Sequence, residues 1–173
     1  MIPPVLRSQR LPLFVAASLA LAGTANAQRI LFQFEGSTPT QQLGGAIATA
    51  GDFNADGLDD VIVASPNAST IDTWNGLVEV YSGLDGTVLA TFEGLAGGDK
   101  LGYSVSSAGD VDADGFADII AGALLADRNG TNAGMARVYS GQTGAILHDL
   151  DGLAAGDFFG TSVAGLGLSL IHI

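Results

Sequence analysis

The sequence predicts an all-β fold in which repeated four-stranded units form the blades of a β-propeller. Two observations predict it. The same residue pattern returns every 58 positions without an insertion or deletion, and a third copy begins near the C-terminal end. Each copy contains four short runs rich in Val, Ile, Tyr and Phe, with Gly, Asn or Asp at the breaks. A β-sandwich with two similar halves is the alternative, and the third copy argues against it.

The repeat is carried by short motifs that keep one register. Phe-Glu-Gly stands at 34–36 and 92–94 and returns as Leu-Asp-Gly at 150–152; Leu-Gly stands at 43–44 and 101–102 and returns as Phe-Gly at 159–160. The predicted units are therefore about 34–91, 92–149 and, in part, 150–167. This organisation corresponds to two four-stranded blades plus part of a third, which is an incomplete propeller.

Four strands are predicted in the first unit. Their bounds are roughly Gly45–Ala50, Asp60–Ser65, Leu77–Ser82 and Val88–Glu93. A hairpin turn joins the last two strands, because Gly83 and Gly86 can adopt positive φ without a steric penalty. No segment beyond the N-terminal region has a sustained 3.6-residue period, so no helix is expected there.

The first 27 residues are typical of a secretory signal peptide. Arg7 and Arg10 precede a short apolar run over 11–22, and Ala25-Asn26-Ala27 has the small residues that signal peptidase accepts. A membrane anchor is the alternative, but a spanning helix needs roughly 20 apolar residues and this run is shorter. We expect cleavage near Ala27, export to the extracellular space, periplasm or cell surface, and no transmembrane segment in the mature chain.

Charge and cysteine content narrow the choice of partners. Residues 28–173 contain all 18 acidic residues but only four basic ones: Arg29, Lys100, Arg128 and Arg137. Such a chain repels phosphate groups, so nucleic acid and anionic membranes are poor partners for it, whereas a divalent cation is a good one. The sequence contains no cysteine. An exported protein without disulfides must be stabilised by its core, by metal, or by both.

Two acidic loops point to calcium. Residues 52–60 and 110–118 both fit the pattern D-x-[DN]-x-D-G-x-x-D. Calcium takes six to eight oxygen ligands, and alternate residues of such a loop can turn their oxygens toward one centre. The predicted Ca²⁺ ligands are the side chains of Asp52, Asn54, Asp56, Asp60, Asp110, Asp112, Asp114 and Asp118, with the backbone carbonyls of Leu58 and Phe116.

Two other interpretations of these loops are weaker. An EF-hand loop would close with a carboxylate at position 12, where this chain has Val63 and Ala121 inside predicted strands. Solvated Asx turns would explain one loop, but clustered carboxylates at the same place in two successive units carry a repulsion that a bare turn has no reason to keep. The second loop has four carboxylates and the first has three plus an amide, so we expect the second to bind calcium more tightly.

These motifs together resemble the FG-GAP repeat of the integrin α-subunit propeller. Leu-Gly or Phe-Gly is followed by the acidic loop and then by a strand that ends near Ala64-Ser65-Pro66. Phe159-Gly160 is nearest to the FG element, whereas 64–66 and 121–123 match the GAP element imperfectly. The resemblance covers about 32–165. It implies a seven-bladed extracellular propeller used for adhesion and recognition, in which calcium holds a loop between strands and does no chemistry.

The end of the chain departs from this pattern. A third acidic loop should begin at position 168, but residues 168–173 read Leu-Ser-Leu-Ile-His-Ile. That tail fits neither the repeat nor a polar cap. We therefore expect a truncated product, with a ring of several chains as the alternative.

Two functions follow from the sequence. The first is an exported calcium-binding scaffold for cell-surface adhesion or recognition of an extracellular protein or glycan. The second is a non-catalytic module of a larger secreted hydrolase whose catalytic domain lies elsewhere. Because no nucleophile elbow, zinc-binding helix or phosphate loop is present, and His148 has no counterpart in the other unit, we predict no enzymatic activity for the chain itself.

Overall fold

The computed structural model describes residues 32–36, 38 and 40–165. The predicted signal peptide at 1–27 and the atypical tail at 168–173 lie outside the described residues. The chain divides into two units, Met1–Glu35 and Gly36–Ile173. In the first unit, Gln33 Nε2 donates a hydrogen bond to Glu35 Oε1 at 3.2 Å. The strands that the structure describes belong to the second unit.

Within the described residues, eight strands form two four-stranded antiparallel sheets, which we name blade 1 and blade 2. The strands of blade 1 are β1 (Ala46–Gly51), β2 (Asp60–Ser65), β3 (Leu77–Tyr81) and β4 (Val88–Glu93); those of blade 2 are β5 (Ser104–Gly109), β6 (Asp118–Ala123), β7 (Met135–Tyr139) and β8 (Ile146–Asp151). Each sheet follows chain order, as expected for a propeller blade. The all-β prediction is confirmed: the described residues contain no helix, and their two sheets do not close into a ring.

The predicted strands of blade 1 are correct except at three ends: β1 begins at Ala46 rather than Gly45, β1 ends one residue later than predicted, and β3 ends one residue earlier. β1 extends to Gly51 because Gly51 pairs with Asp60 after a register shift that follows Thr49. β3 ends at Tyr81 rather than Ser82, because the Ser82 N–H bonds to Thr87 O inside the turn. Blade 2 has the same register shift between Ser107 and Gly109, so the irregularity belongs to the repeat.

The prediction for the β3–β4 turn is half right. Gly86 has a φ of 75°, as expected. Gly83 does not have positive φ, so that expectation was wrong. Glycine is needed at 83 for a different reason: a Cβ atom there would collide with the backbone oxygen of Asp59. Close approach of two backbones, rather than an unusual dihedral angle, therefore excludes a side chain at this position.

The core lies between the two blades. One apolar cluster joins Ile62, Val78 and Phe92 of blade 1 to Ile119 and Tyr139 of blade 2. The rings of Phe92 and Tyr139 have centroids 4.2 Å apart. Complete burial of each large apolar side chain contributes about 1.5–3 kcal/mol. Neither sheet could bury this face alone, so the cluster makes the blades interdependent.

The repeated Leu-Gly pair connects one blade to the next. Leu101 is fully buried and forms a parallel bridge with Gly76 of blade 1. Gly102 has a φ of 84°, and a Cβ atom there would lie 2.8 Å from both Ala64 Cβ and Val78 Cγ2. The apolar residue of the pair fills the junction, and the glycine lets the chain pass close to the preceding sheet.

Candidate metal centre

Both acidic loops connect the first two strands of a blade. The first follows β1 and ends at Asp60, the first residue of β2; the second follows β5 and ends at Asp118, the first residue of β6. Val63 and Ala121, at the position where an EF-hand loop would have its last carboxylate, lie inside strands as predicted. Since the strands are antiparallel, the loops share an end of each blade with the β3–β4 and β7–β8 turns.

Backbone N–H groups hold the carboxylates of the second loop. Asp110 accepts hydrogen bonds from the Asp114 and Gly115 N–H groups, each at 3.0 Å. Asp112 accepts from Asp114 N–H at 3.2 Å, and Asp114 accepts from Phe116 N–H at 2.9 Å. Gly115 has a φ of 93°, which allows the sharp turn expected at loop position 6. The turn thus places several carboxylates around one region without direct contact between them.

The last aspartate of each loop is buried and ties the loop to the neighbouring turn. Asp118 accepts from Val111 N–H at 2.6 Å and from Gly141 N–H at 2.9 Å. Asp60 repeats this with Phe53 and Gly83, each at 2.9 Å. The sequence did not predict these bonds to the turns, although Ser-Gly recurs at 82–83 and 140–141 and could have indicated them.

Three predicted ligands of the second loop meet at one point. Asp110, Asp112 and Asp118 each offer a carboxylate oxygen, and the three oxygens lie within 4.8 Å of one another. That separation is roughly twice a calcium–oxygen distance of about 2.4 Å, so the three oxygens can bind one Ca²⁺. Asp114 is outside this group, and Phe116, whose carbonyl is the predicted ligand, directly follows the turn.

The electrostatics of the loops reflect their crowded carboxylates. The pKa of Asp112 is raised, chiefly by desolvation and then by the negative charges of Asp114 and Asp118. Burial also raises the pKa of Asp60, although hydrogen bonds from Gly83 and Phe53 oppose the increase. The ionised form of each carboxylate is thus less favourable than that of a free aspartate, and a bound cation would stabilise the ionised form.

The first loop has the same scaffold but a different ligand at loop position 3. Asp52 accepts from Asp56 and Gly57 N–H groups at 2.8 and 2.9 Å, as Asp110 does in the second loop. Asn54 replaces Asp112, and its Nδ2 donates to Asp56 Oδ2 at 2.9 Å. Within residues 40–165, no three carboxylates of this loop converge as those of the second loop do. Leu58 is exposed at loop position 7, and its N–H donates to Asp56.

Comparison with known proteins explains the repeated scaffold. Residues 44–81 and 101–139 match the FG-GAP repeat family, and each match runs from the Gly or Leu-Gly element through the acidic loop to the third strand. This chain carries two FG-GAP repeats. It is 33% identical to integrin alpha-4 of Xenopus laevis over 150 residues, which is 83% of this chain and 14% of the relative.

Two other relatives give the same result. Integrin alpha-5 of Xenopus laevis is 31% identical over 127 residues, which is 68% of this chain and 12% of the relative. Integrin alpha-V of Gallus gallus is 35% identical over 94 residues, which is 50% of this chain and 9% of the relative. The FG-GAP chain therefore spans about an eighth of the length of these curated relatives.

The end of blade 1 opposite its acidic loop presents an exposed aromatic side chain. Trp74 is 52% exposed and has a φ of 56°, a conformation that is costly for a bulky residue. Asn132 has the same φ in the second FG-GAP repeat. Lys100 Nζ lies 5.7 Å from the centre of the Trp74 ring, a cation–π contact that the sequence did not predict.

Exposed apolar side chains accompany this pair. Ile71 and Leu95 are each about three-fifths exposed, on the two loops that meet here. The loops are joined by hydrogen bonds from Gly98 N–H to Thr73 O at 2.8 Å and from Lys100 N–H to Trp74 O at 3.1 Å. We name Ile71, Trp74, Leu95 and Lys100 the Trp74 surface.

The other features considered in the sequence are His148, further metal-binding clusters and membrane-spanning helices. His148 lies on β8, exposed, opposite Val138. In the described part of the chain, the aspartate group of the second loop is the only cluster of metal-binding residue types. No helix among the described residues is long and apolar enough to cross a membrane.

Proposed function

We propose that this chain is a non-catalytic, calcium-stabilised ligand-binding module of an extracellular or cell-surface protein. The observation that carries the proposal is the pair of acidic loops, which occupy equivalent positions on two adjacent blades and use the same backbone hydrogen bonds. The integrin alpha relatives and the FG-GAP repeats support a role in adhesion or recognition. The features of residues 1–27 support export through a signal peptide.

Calcium has a structural role in this proposal. Asp110, Asp112 and Asp118 would hold the ion in the second loop, with Asp114 and the Phe116 carbonyl as further ligands. Asp52, Asn54, Asp56, Asp60 and the Leu58 carbonyl would do the same in the first. The ion would neutralise carboxylates that otherwise repel one another and would fix each loop between its strands. Because folding assembles the sites, bound calcium stabilises the folded chain.

Calcium-dependent thermal unfolding of the full chain tests this role. The melting temperature should rise with calcium, since a ligand at a hundred times its Kd stabilises the native state by about 2.7 kcal/mol. Asp112→Asn together with Asp118→Asn should remove most of the increase contributed by the second loop. Asp59→Asn is the matched control, because Asp59 is an exposed acid of the first loop that is not a predicted ligand. Equal melting temperatures in calcium and in chelator would contradict the proposal.

The Trp74 surface is the proposed contact for the ligand. Trp74 offers a flat apolar face and Lys100 a positive charge, on a chain with a net charge of −12. An aromatic side chain beside a cation suits a protein or glycan ligand that carries a carboxylate. Trp74 has a φ of 56°, which is costly for a bulky side chain, and strain at an exposed aromatic residue supports a role in binding.

Trp74 is the only tryptophan, so its fluorescence reports directly on this surface. The full chain should bind carboxylated glycans on an array better than matched neutral ones, and binding should change the Trp74 emission. Trp74→Ala should lose this binding, whereas Asn132→Ala, at the equivalent position of the second repeat, should keep it. Identical array profiles for the wild type and Trp74→Ala would exclude this surface as the contact for glycans.

A further inference from the structure

The two acidic loops touch each other across the junction between the blades. Ala117 N–H donates a hydrogen bond to the backbone oxygen of Asp52 at 3.0 Å. Asp52 is position 1 of the first loop, and its side chain is a predicted ligand there. Ala117 is position 8 of the second loop, between the predicted ligands Phe116 and Asp118. One backbone bond therefore joins the ligand-bearing segments of two sites.

A second connection runs through Phe53. Its N–H donates to Asp60, and its side chain is buried in the apolar cluster that contains Ile119 and Tyr139 of blade 2. Its carbonyl faces Gly141, where a Cβ atom would lie only 3.2 Å from Phe53 O. The Gly141 N–H in turn donates to Asp118. The carboxylates of Asp60 and Asp118, the last ligands of the two loops, are thus linked through the backbone of Phe53 and Gly141.

We propose that the two loops bind calcium cooperatively, with occupation of either loop raising the affinity of the other. The inference rests on the proposed function, because it requires that both loops bind the ion. A bound cation orders its own loop, and the bond from Ala117 to Asp52 transmits part of that order to the neighbouring loop. Binding of the second ion then costs less conformational entropy, because its loop is already partly ordered. Thermodynamic linkage requires the effect to be equal in both directions.

The coupling is measured by calcium titration calorimetry on the full chain and two single-site variants. Asp112→Asn with Asp114→Asn disables the second loop, and Asn54→Ala with Asp56→Asn disables the first. Neither pair changes a residue that forms the contacts between the loops. The product of the two association constants of the wild type should exceed the product of the two single-site constants by about fivefold, within the usual range for allosteric coupling. A ratio of one would overturn the proposal.

Ala117→Pro tests the bond itself. Proline has no N–H, so this variant should lower the ratio toward one while both loops still bind calcium. Asp59→Pro is the matched control at the equivalent position of the first loop, since Asp59 N–H donates to no other loop in the described residues. This control should keep the fivefold ratio. If Ala117→Pro does not fold, the ratio from the carboxylate variants still decides whether coupling exists.

The outcomes separate this inference from the proposed function. If the wild type shows no calcium binding, the proposed function fails. If both loops bind calcium but the two products of association constants are equal, calcium binding is supported and the proposed coupling is wrong. An equal reduction in the ratio by both proline variants would show that coupling does not depend on the bond from Ala117 to Asp52.

Discussion

Blade 1 and blade 2 have the same strand order and the same irregularities of register, yet equivalent residues in them have different surroundings. Leu101, at the junction after blade 1, is fully buried because blade 2 packs over it. Phe159 has the same position after blade 2 and is 42% exposed. It lines an open pocket with Ile120 and Leu150, whose counterparts in blade 1 are the buried Ile62 and Phe92. In a repeat protein, the neighbouring repeat therefore decides whether an apolar position is core.

The blades also differ at one cross-strand pair. Arg137 of β7 stands opposite Asp149 of β8, and its guanidinium forms two hydrogen bonds to that carboxylate although only 1% of the Arg137 side chain is exposed. Arg128 also reaches Asp149, at 3.3 Å. The equivalent pair in blade 1 is Glu79 opposite Thr91. Blade 2 alone thus uses a charged pair where its sheet meets blade 1, which shows that the repeat fixes backbone geometry more strictly than side-chain chemistry.

The largest expected contrast is between the two junction residues. Leu101→Ala should reduce the free energy of unfolding by about 3 kcal/mol, because it leaves a cavity between two packed blades. Phe159→Ala should reduce the free energy of unfolding by less than about 1 kcal/mol, because much of the Phe159 side chain is already exposed to water. Urea unfolding followed by Trp74 fluorescence measures both. Similar losses would mean that the face beyond blade 2 is covered in solution.

A second contrast concerns the glycines of the two Leu-Gly pairs, Gly44 after Leu43 and Gly102 after Leu101. Gly102→Ala should destabilise the chain by about 2 kcal/mol, from a strained positive φ and from a Cβ atom 2.8 Å from Ala64 and Val78. Gly44→Ala shares the strain at a φ of 79°, but its nearest described atom is Ile47 Cδ1 at 3.5 Å. We expect Gly44→Ala to reduce the free energy of unfolding by about 1 kcal/mol. The difference between the two variants, measured by denaturant unfolding, isolates the packing against blade 1; equal losses would assign both to backbone strain alone.

The charged pair predicts a pH dependence that only blade 2 contributes. The hydrogen bond from Arg137 lowers the pKa of Asp149 below its ordinary value of 3.8. A carboxylate with a lowered folded-state pKa stabilises the protein fully above that ordinary value and loses the contribution as the pH falls through the lowered one. Asp149→Asn should therefore reduce the free energy of unfolding by about 1 kcal/mol at neutral pH. The loss is small for the partner of a buried arginine because the Asp149 side chain is 32% exposed to solvent, which screens the pair.

Unfolding experiments at neutral pH and below pH 3.8 check this sign. The difference between the wild type and Asp149→Asn should shrink on acidification. Thr91→Asn puts the same residue at the equivalent position of blade 1 and should show a small, pH-independent effect. A difference that grows in acid would contradict the assignment to the Arg137 pair.

The smallest expected effect concerns the ligand at position 3 of each loop. Asn54→Asp adds a carboxylate to the first loop and removes the amide that donates to Asp56, so calcium affinity there should rise by about fivefold. Asp112→Asn should lower the affinity of the second loop by a similar factor. Calorimetry on variants with the other loop disabled compares them, and an unmodified first loop that binds more tightly than the second would refute the predicted order.

The strands to within one residue, their grouping into blades and the positions of the acidic loops could all be predicted from the amino-acid sequence. The reason is that these features depend on local pattern: runs of β-branched and aromatic residues form strands, and glycine with alternating aspartates forms the loops. Even there, local reasoning misjudged Gly83, because the constraint comes from Asp59 in another strand connection rather than from its own turn.

The contacts that residues of the repeats make across the blades could not be predicted from the sequence. Ala117 reaches Asp52, Lys100 lies over Trp74, and Phe92 stacks near Tyr139, all between segments far apart along the chain. The structure also brings Asp110, Asp112 and Asp118 together, whereas no three carboxylates of the first loop come equally close among the described residues. A repeating sequence assigns the same local structure to every copy, but contacts and burial depend on what lies beside each copy, and that is a property of the packed chain.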